Sequence, residues 1–127
     1  MKTLILAAAA AISMAAAAWA DPVEGIWQTE ADDGAFAHVS MAPCGGAICG
    51  TIARTFNAAG EYRSENIGKP LVWNMVQQKP GKYGDGKIWQ PSTGKTYRSK
   101  MTLEGNVLKV SGCIGPICKK QTWRRVQ

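Results

Sequence analysis

Hydrophobic and polar residues alternate through Gly86–Val126 in a pattern typical of consecutive antiparallel hairpins. The dipeptide Gly105-Asn106 suits a two-residue turn, and that turn pairs Met101 with Val110 on the inner face of a sheet. Every second residue of the preceding strand then faces the same way, and these residues are Tyr97, Ser99, Met101 and Leu103. The stretch therefore predicts an antiparallel meander with one apolar face and one polar face.

The preceding half of the chain contains four shorter candidate strands, each bounded by turn residues. They are Gly25–Thr29, Ala35–Ala42, Gly50–Phe56 and Leu71–Val76. Two polar stretches, Asn57–Pro70 and Gln77–Gly84, show no periodicity and are predicted connections. The chain therefore has about eight strands and little or no helix beyond its first residues. This pattern predicts an all-β fold, an antiparallel up-and-down barrel of about eight strands.

The start of the chain has the composition of a secretory signal peptide. Leu4–Ala18 is an apolar run, preceded by Lys2 and followed by the small-x-small cleavage site Ala18-Trp19-Ala20. The run is short for a membrane anchor, and no basic stop-transfer cluster follows it. We therefore expect Met1–Ala20 to be removed, leaving a single domain at residues 21–127. That domain is expected to be periplasmic or secreted and not to span a membrane.

The four cysteines form two groups with the same spacing, Cys44-x4-Cys49 and Cys113-x4-Cys118. Four cysteines allow three connectivities, and sequence alone does not choose among them. Hairpin geometry favours the local pairs, because a four-residue loop places its flanking cysteines opposite each other. Each such disulfide closes a small loop and contributes about 2 kcal/mol. A zinc site is the alternative, but this spacing and an oxidising compartment disfavour it, so we expect no metal and no cofactor.

The net charge of +6 is unevenly distributed. Acidic residues are concentrated between Asp21 and Gly68, whereas bases dominate from Lys69 onward, and Arg98 and Lys100 fall on the outer face of the meander. Such a face suits acidic lipid headgroups, lipopolysaccharide phosphates or acidic polysaccharide, although a solvated strand face is the alternative interpretation. Nucleic acid is not an expected partner, because the chain lacks an RNA-binding aromatic strand and a helix-turn-helix pattern.

No catalytic constellation is evident in the sequence. His38 is the one histidine, and no Ser–His–acid set forms around it. From Lys69 onward the carboxylates are Asp85 and Glu104, both at predicted turns, which is poor material for paired-carboxylate hydrolysis. We therefore expect a protein without enzymatic activity.

Arg54 is a candidate for an inward-facing charge. Pairing Cys44 with Cys49 places Arg54 on the same face as Met41 and Ile52. An inward guanidinium requires a counter-charge, a cluster of carbonyls or an anionic ligand, unless the side chain extends to the rim of the barrel.

Two features carry a resemblance to known families. Gly25-x-Trp27 with Trp123-x-Arg125 resembles the signature of the lipocalin and fatty-acid-binding superfamily. In that group an arginine of the last strand packs on a tryptophan of the first strand, which implies a barrel-closing role for Trp27, Trp123 and Arg125. Most of the chain resembles the exported bacterial DUF2147 family, through GIWQTEADDG, CGGAICGTI, IGKPLVWNM, DGKIWQPSTGKTYRSKMTLEGNVLKVSGCIG and QTWRRV. That resemblance implies export and a lipocalin-like barrel, but no reaction.

The implied role of Trp27 requires a particular loop. Counting back from the last hairpin directs Trp123 and Arg125 inward. A four-residue turn at Ala31–Gly34 would direct Trp27 outward, whereas a bulge or a five-residue loop at Ala31–Ala35 directs it inward. We predict the bulge or the longer loop.

Two hypotheses of function follow from these features. The first is non-catalytic binding of a small lipophilic or anionic ligand inside the barrel. Its predicted lining is Arg54, Tyr97, Ser99, Met101, Val110 and Gln121. The second is a surface module that binds an anionic envelope component through its basic face and has a filled core. Cavity volume distinguishes the two, because a barrel packed solid by Trp and Met side chains leaves no room for a ligand.

Overall fold

The computed structural model describes residues 20–127, which form one nine-stranded antiparallel sheet. The predicted signal peptide, Met1–Ala20, lies outside the described residues apart from Ala20. The strands are β1 (Gly25–Gln28), β2 (Phe36–Pro43), β3 (Ile48–Asn57), β4 (Gly60–Tyr62), β5 (Pro70–Lys79), β6 (Lys82–Gln90), β7 (Lys95–Glu104), β8 (Val107–Ile114) and β9 (Ile117–Arg125).

Eight of the nine strands close a barrel. From β5 to β9 each strand pairs with the next, β9 pairs with β1, and the ring is completed by β1–β2, β2–β3 and β3–β5. The short β4 pairs only with the end of β3 and lies outside this ring. The structure therefore confirms the predicted all-β, antiparallel up-and-down barrel.

The meander has the predicted register. Met101 pairs with Val110 across the β7–β8 hairpin, and both side chains are buried. The meander begins earlier than predicted, because β5 and β6 continue up to a tight turn at Pro80-Gly81. The predicted connection Gln77–Gly84 is therefore wrong: its polar residues belong to strand ends, where solvent exposure removes the need for apolar alternation.

The second predicted connection, Asn57–Pro70, contains β4. This strand pairs with the end of β3, with Thr55 opposite Tyr62. The Thr55 hydroxyl donates a hydrogen bond of 2.5 Å to the Tyr62 carbonyl and accepts one of 3.2 Å from the N–H of Ser64. A strand this short and exposed shows no hydrophobic periodicity, so the sequence pattern did not reveal it.

Both predicted disulfides are present. Cys44 is bonded to Cys49, and Cys113 is bonded to Cys118. In the β8–β9 hairpin the two cysteines lie directly opposite each other, as predicted. The four-residue spacing therefore identified both local pairs.

The β2–β3 hairpin differs from the expectation in its register. Ala42, rather than Cys44, lies opposite Cys49. The loop occupies Cys44–Ala47, where the N–H of Cys44 donates to the carbonyl of Ala47 at 2.8 Å. The two central residues of this loop are glycines with positive φ, a conformation that residues with a Cβ adopt only rarely.

Trp27 faces inward and is 0% exposed. The loop after β1 supplies the required irregularity. Thr29 donates its N–H to the carbonyl of Ala37 at 3.0 Å, whereas Asp32 forms a bridge with Ala35. Two residues before the turn thus lie opposite one residue after it, which is a β-bulge. The bulge switches the face of the sheet to which the side chains of β1 point, as predicted.

Large apolar side chains fill the interior of the barrel. The largest of those that are almost completely buried are Trp27, Trp123, Tyr83, Met41, Met75, Met101 and Leu108. Their number and size show that the inward face of nearly every strand contributes to one common core.

Candidate functional site

The inner wall of the barrel contains five of the six residues predicted to line a ligand site. Met101 and Val110 are buried, and so is Ser99, at 4% exposure. Tyr97 and Gln121 are partly buried and lie on the same face of the sheet. The alternation of the meander therefore placed these side chains on the correct face.

Polar groups of the inner wall bond within the protein. The Ser99 hydroxyl donates to the carbonyl of Ser111 at 2.6 Å. The side-chain oxygen of Gln121 accepts from the indole N–H of Trp123 at 2.7 Å. A polar ligand inside the barrel would have to compete with these bonds.

Bulky side chains also cover the apolar part of this wall. Trp27, Trp123, Met41 and Met75 are each at most 2% exposed, so they pack against the wall rather than border an open space. A ligand inside the barrel would therefore require at least one of these side chains to move.

Arg54 lies on the outer face, so its predicted inward position is wrong. Val39 pairs with Ile52, but the next pair is His38 with Arg54, which leaves one residue of β3 unpaired. This bulge turns the arginine outward, and its side chain is 56% exposed. The guanidinium forms two hydrogen bonds with Glu61, of 2.8 and 2.6 Å.

An aromatic cluster surrounds Arg54 on this outer face. Phe36 and Phe56 stack with ring centroids 4.8 Å apart, and the ring of His38 lies 4.6 Å from that of Phe56. The Arg54 guanidinium lies 5.7 Å from the Phe56 centroid. Burial, followed by the charge of Arg54, lowers the pKa of His38, while Glu61 acts in the opposite direction. These effects favour the neutral form of His38 over the charged form.

The residues implied in barrel closure lie together at one end of the barrel. The Arg125 guanidinium is 4.4 Å from the centroid of the Trp27 ring, beside the buried Trp123. Arg125 also donates to the carbonyls of Glu24, at 3.0 Å, and Pro22, at 2.6 Å. These contacts join the segment before β1 to the last strand.

That N-terminal segment covers the same end of the barrel. Val23 is 0% exposed, and its carbonyl accepts a hydrogen bond of 2.8 Å from the indole N–H of Trp27. The phenol of Tyr83 donates to the carboxylate of Asp21. Burial, followed by this hydrogen bond, raises the pKa of Tyr83. The segment thus seals the core rather than leaving an entrance beside Trp27.

A cleft of about 450 Å³ lies on the outer face of the meander. We call it the outer basic cleft, because four consecutive strands, β6 to β9, each contribute one lysine to it. These are Lys82, Lys100, Lys109 and Lys120. Among the described residues that line the cleft, Glu104 is the one acid. The cleft therefore concentrates positive charge in a concave surface.

The strand register brings these lysines together. Lys100 and Lys120 both lie opposite Ser111, on the two strands that flank it. Residues directly opposite each other in an antiparallel pair have Cβ atoms about 4.5–5.5 Å apart. The next pair on the same face of β7 and β8 is Thr102 with Lys109. The cleft thus combines ammonium groups at its sides with the hydroxyl-bearing Ser111, which is buried, between them.

A second cleft, of about 400 Å³, adjoins the first. The two share Gln78, Lys100 and Cys118. The second cleft also includes Lys87, Arg98 and one acid, Asp85, as well as both disulfide-bonded cysteines of the β8–β9 hairpin. Basic surface therefore continues from the outer basic cleft to the tip of that hairpin.

The outer basic cleft has the chemistry of an anion-binding surface. Ammonium groups act as mobile point charges toward phosphate, sulfate or carboxylate oxygens. Within residues 20–127, no group of three or more His, Cys, Asp or Glu side chains is arranged to hold a metal ion. In the same residues, no helix has both the length and the apolar composition needed to cross a bilayer.

Comparison with protein families gives a match over most of the chain. Residues 25–125 match the model of a family described as "Uncharacterized protein conserved in bacteria (DUF2147)". The chain belongs to the DUF2147 family. No curated protein matches the chain at a significant level. The bacterial family and the two disulfides are compatible with an exported protein.

Comparison with solved structures supports the fold assigned to this DUF2147 protein. Protein HP1028 from Helicobacter pylori, described as belonging to the lipocalin family, is similar with a TM-score of 0.64. The two chains are 18% identical, and the similarity covers 82% of each. At this identity the likeness concerns the fold, and it confirms the lipocalin-like barrel that the sequence resemblance implied.

Sequence reasoning identified part of the outer basic cleft but not the cleft itself. Lys100 was predicted to lie on the outer face, whereas Lys82 and Lys120 were not connected with it. The alternation of the strands did contain a signal for the outward position of these lysines, because alternation that directs one residue inward directs its neighbour outward. The convergence of the lysines in one concave surface depends on the pairing and curvature of four strands. Alternation within each strand does not give that information.

Proposed function

We propose that this DUF2147 protein is an exported, non-catalytic binding protein that uses the outer basic cleft to hold an anionic group. The observation that carries the proposal is the contribution of one lysine from each of four consecutive strands to a single cleft. A solvated strand face requires only scattered charges, whereas convergent charges of one sign repel each other in the free protein. A bound anion relieves that repulsion.

The size and composition of the cleft support binding of a small anion or an anionic headgroup. Its volume of about 450 Å³ falls within the range of about 300–1,000 Å³ that is usual for small-molecule sites. Lysines provide charge without fixed geometry, so the cleft suits phosphate-like groups in general rather than one planar carboxylate. An envelope component that presents several phosphates would fit both adjoining clefts.

Binding inside the barrel is the competing function, and the fold is the argument for it. Lipocalin-like barrels can enclose a small ligand, and Tyr97, Met101 and Gln121 lie on the inner wall. Against it stands the packing, because the tryptophan and methionine side chains that fill the interior are at most 2% exposed. The outer cleft needs no such rearrangement, and we therefore favour it.

Titration with inorganic phosphate, followed by NMR, tests the proposal. We expect amide shifts in β6 to β9 around Ser111, and no shifts of the interior methyl groups of Met41 and Met75, which are buried and do not line the cleft. The double variant Lys100→Gln/Lys120→Gln is expected to weaken binding at least about tenfold, since each lysine supplies a charge-assisted contact. Lys95→Gln is the matched control, because Lys95 is exposed on β7 but does not line the cleft.

Three outcomes would overturn the proposal. Equal binding by the wild type and the double variant would show that the cleft lysines are not the contacts. Shifts confined to the interior methyl groups, or a lipid-sized mass retained in native mass spectrometry of protein from its own periplasm, would instead favour the ligand inside the barrel.

A further inference from the structure

The tip of the β8–β9 hairpin exposes two large apolar side chains. Ile114 and Ile117 face each other across this tip, and they are 69% and 71% exposed. The other large apolar residues that are exposed in residues 20–127 reach at most 47%. Two adjacent isoleucines at the apex of a hairpin expose apolar surface to water without contributing to the core.

The tip is held in one conformation. Cys113 and Cys118 are bonded directly behind the two isoleucines, and a Gly115-Pro116 dipeptide forms the turn between them. Gly115 has a φ of 57°, and proline fixes its own φ, so the pair suits a tight hairpin turn. Arg98 donates from its guanidinium to the carbonyl of Gly115. A preorganised tip loses little conformational entropy when it binds.

Positive charge surrounds the tip. Arg98 contacts the turn itself, Lys119 and Lys120 follow the disulfide on β9, and Lys100 lies across from Ser111 on β7. The side chains of these three lysines are exposed. The adjoining basic clefts extend the same charge along the outer face. An apolar apex with a basic collar is the combination that binds an anionic membrane surface.

We propose that the β8–β9 hairpin docks the protein on an anionic lipid bilayer, with Ile114 and Ile117 inserted among the acyl chains and the basic collar against the headgroup phosphates. A bilayer fits better than a protein partner, because two side chains at a narrow apex offer far less than the roughly 1,000 Å² of a specific protein interface. Shallow insertion combined with several basic residues is sufficient for a membrane surface. The proposal rests on the proposed function in one respect, that the basic face meets anionic groups.

Flotation of the oxidised protein with lipid vesicles tests this docking. Vesicles of phosphatidylcholine with phosphatidylglycerol are compared with vesicles of phosphatidylcholine alone. We expect binding to the anionic vesicles only, and the double variant Ile114→Ser/Ile117→Ser should lower the partition coefficient at least about tenfold. Val76→Ser is the matched control, because Val76 is 42% exposed on β5, away from the tip. Ile117→Trp adds a direct readout, since insertion shifts tryptophan emission to the blue.

Each outcome separates this docking from the proposed function. Equal vesicle binding by the wild type and the serine double variant would show that charge alone suffices, and the apolar insertion would be wrong. Phosphate binding at the cleft without any vesicle binding would overturn the docking and leave the proposed function standing. Loss of self-association in the double variant, measured by analytical ultracentrifugation, would show that a second copy of the chain covers the isoleucines and would also overturn the docking. If the serine variant retains the phosphate response, its loss of vesicle binding is not due to misfolding.

Discussion

The two disulfide-bonded hairpins have the same cysteine spacing, but isoleucine is buried in one hairpin and exposed in the other. In the β2–β3 hairpin, Ile48 is 7% exposed and lies opposite Met75 of β5. In the β8–β9 hairpin, Ile114 and Ile117 are 69% and 71% exposed. One staple therefore adjoins the hydrophobic core, and the other supports an apolar surface in water.

The difference arises from register rather than from the covalent bond. The loop Cys44–Ala47 shifts β3 so that Ile48 enters the first inward position of the strand. The tight Gly115-Pro116 turn instead leaves its flanking isoleucines beyond the wall of the barrel. The same cross-link thus serves folding in one hairpin and the presentation of a surface in the other. Equivalent changes in the two hairpins should therefore have unequal effects.

The largest difference is expected for truncation of the isoleucines. Ile48→Ala should lower the free energy of unfolding by about 2–5 kcal/mol, because it leaves a cavity beside Met75. Ile117→Ala should change it by less than about 0.5 kcal/mol, since an exposed side chain has little packing to lose. Urea denaturation of the two oxidised variants provides the measurement. A similar loss of stability in both would show that the tip of the second hairpin is packed in solution, contrary to the comparison.

A glycine beside each staple provides a second test. A Cβ on Gly50 would lie 2.6 Å from the sulfur of Met41 and 2.9 Å from a methyl of Val72. Gly50→Ala should therefore destabilise the fold by about 1–3 kcal/mol through overpacking. A Cβ on Gly112 meets nothing closer than 3.4 Å, at Ile88. Gly112→Ala should therefore be neutral or slightly stabilising, by up to about 1 kcal/mol.

Thermal unfolding of both alanine variants measures this difference. Equal melting temperatures would indicate that the interior beside Gly50 can relax around an added methyl group. In that case the packing argument against a ligand inside the barrel would weaken as well, because the same side chains fill that space.

Removal of each disulfide should separate stability from membrane binding. Cys44→Ser/Cys49→Ser and Cys113→Ser/Cys118→Ser should each cost about 2 kcal/mol, because the two loops have the same length. Only the second pair should also weaken binding to anionic vesicles, since it frees the apolar tip. Denaturation and vesicle flotation of the same two variants give both quantities. Equal vesicle binding by the two would show that the second staple does not preorganise the tip.

Much of the barrel was predictable because its signals are local. Alternation in the meander and the Gly105-Asn106 turn gave the register of Met101 with Val110, and the equal cysteine spacing gave both disulfides. The inward position of Trp27 was predictable only with the resemblance, which required a bulge that the structure contains. These features depend on neighbours in sequence or on one hairpin at a time.

The features that were missed depend on strand irregularity or on several strands at once. A bulge in β3 turned Arg54 outward, and no residue type in that segment marks its position. The outer basic cleft requires the simultaneous register of β6 to β9 and the twist of the sheet. The exposure of Ile117 does not follow from its residue type, because isoleucine is among the residues most often buried.

The smallest expected effect is a pH dependence confined to the β2–β3 hairpin. His38, the one histidine of the chain, lies on this hairpin, and burial and the charge of Arg54 lower its pKa. The unfolded state therefore binds the proton more readily, so stability should fall as the pH drops through about 6.5 and should be unaffected at higher pH. His38→Gln should reduce this loss, because glutamine does not titrate and can still donate to the side-chain oxygen of Gln28.

Amide hydrogen exchange of the wild type and His38→Gln, at about pH 7.5 and about pH 5.5, locates the effect. After division by the intrinsic exchange rate at each pH, acidification should lower the protection factors of β2 and β3 in the wild type more than those of β8 and β9. The hydrogen bond from Arg54 lowers the pKa of Glu61, so the ion pair between them is lost only at a lower pH than the protonation of His38. This ion pair is present in both the wild type and His38→Gln, and it does not contribute to the difference between them. An equal fall of the protection factors in the two hairpins would mean that acid weakens the barrel as a whole. The contrast between the hairpins would then be limited to their packing and would not extend to their electrostatics.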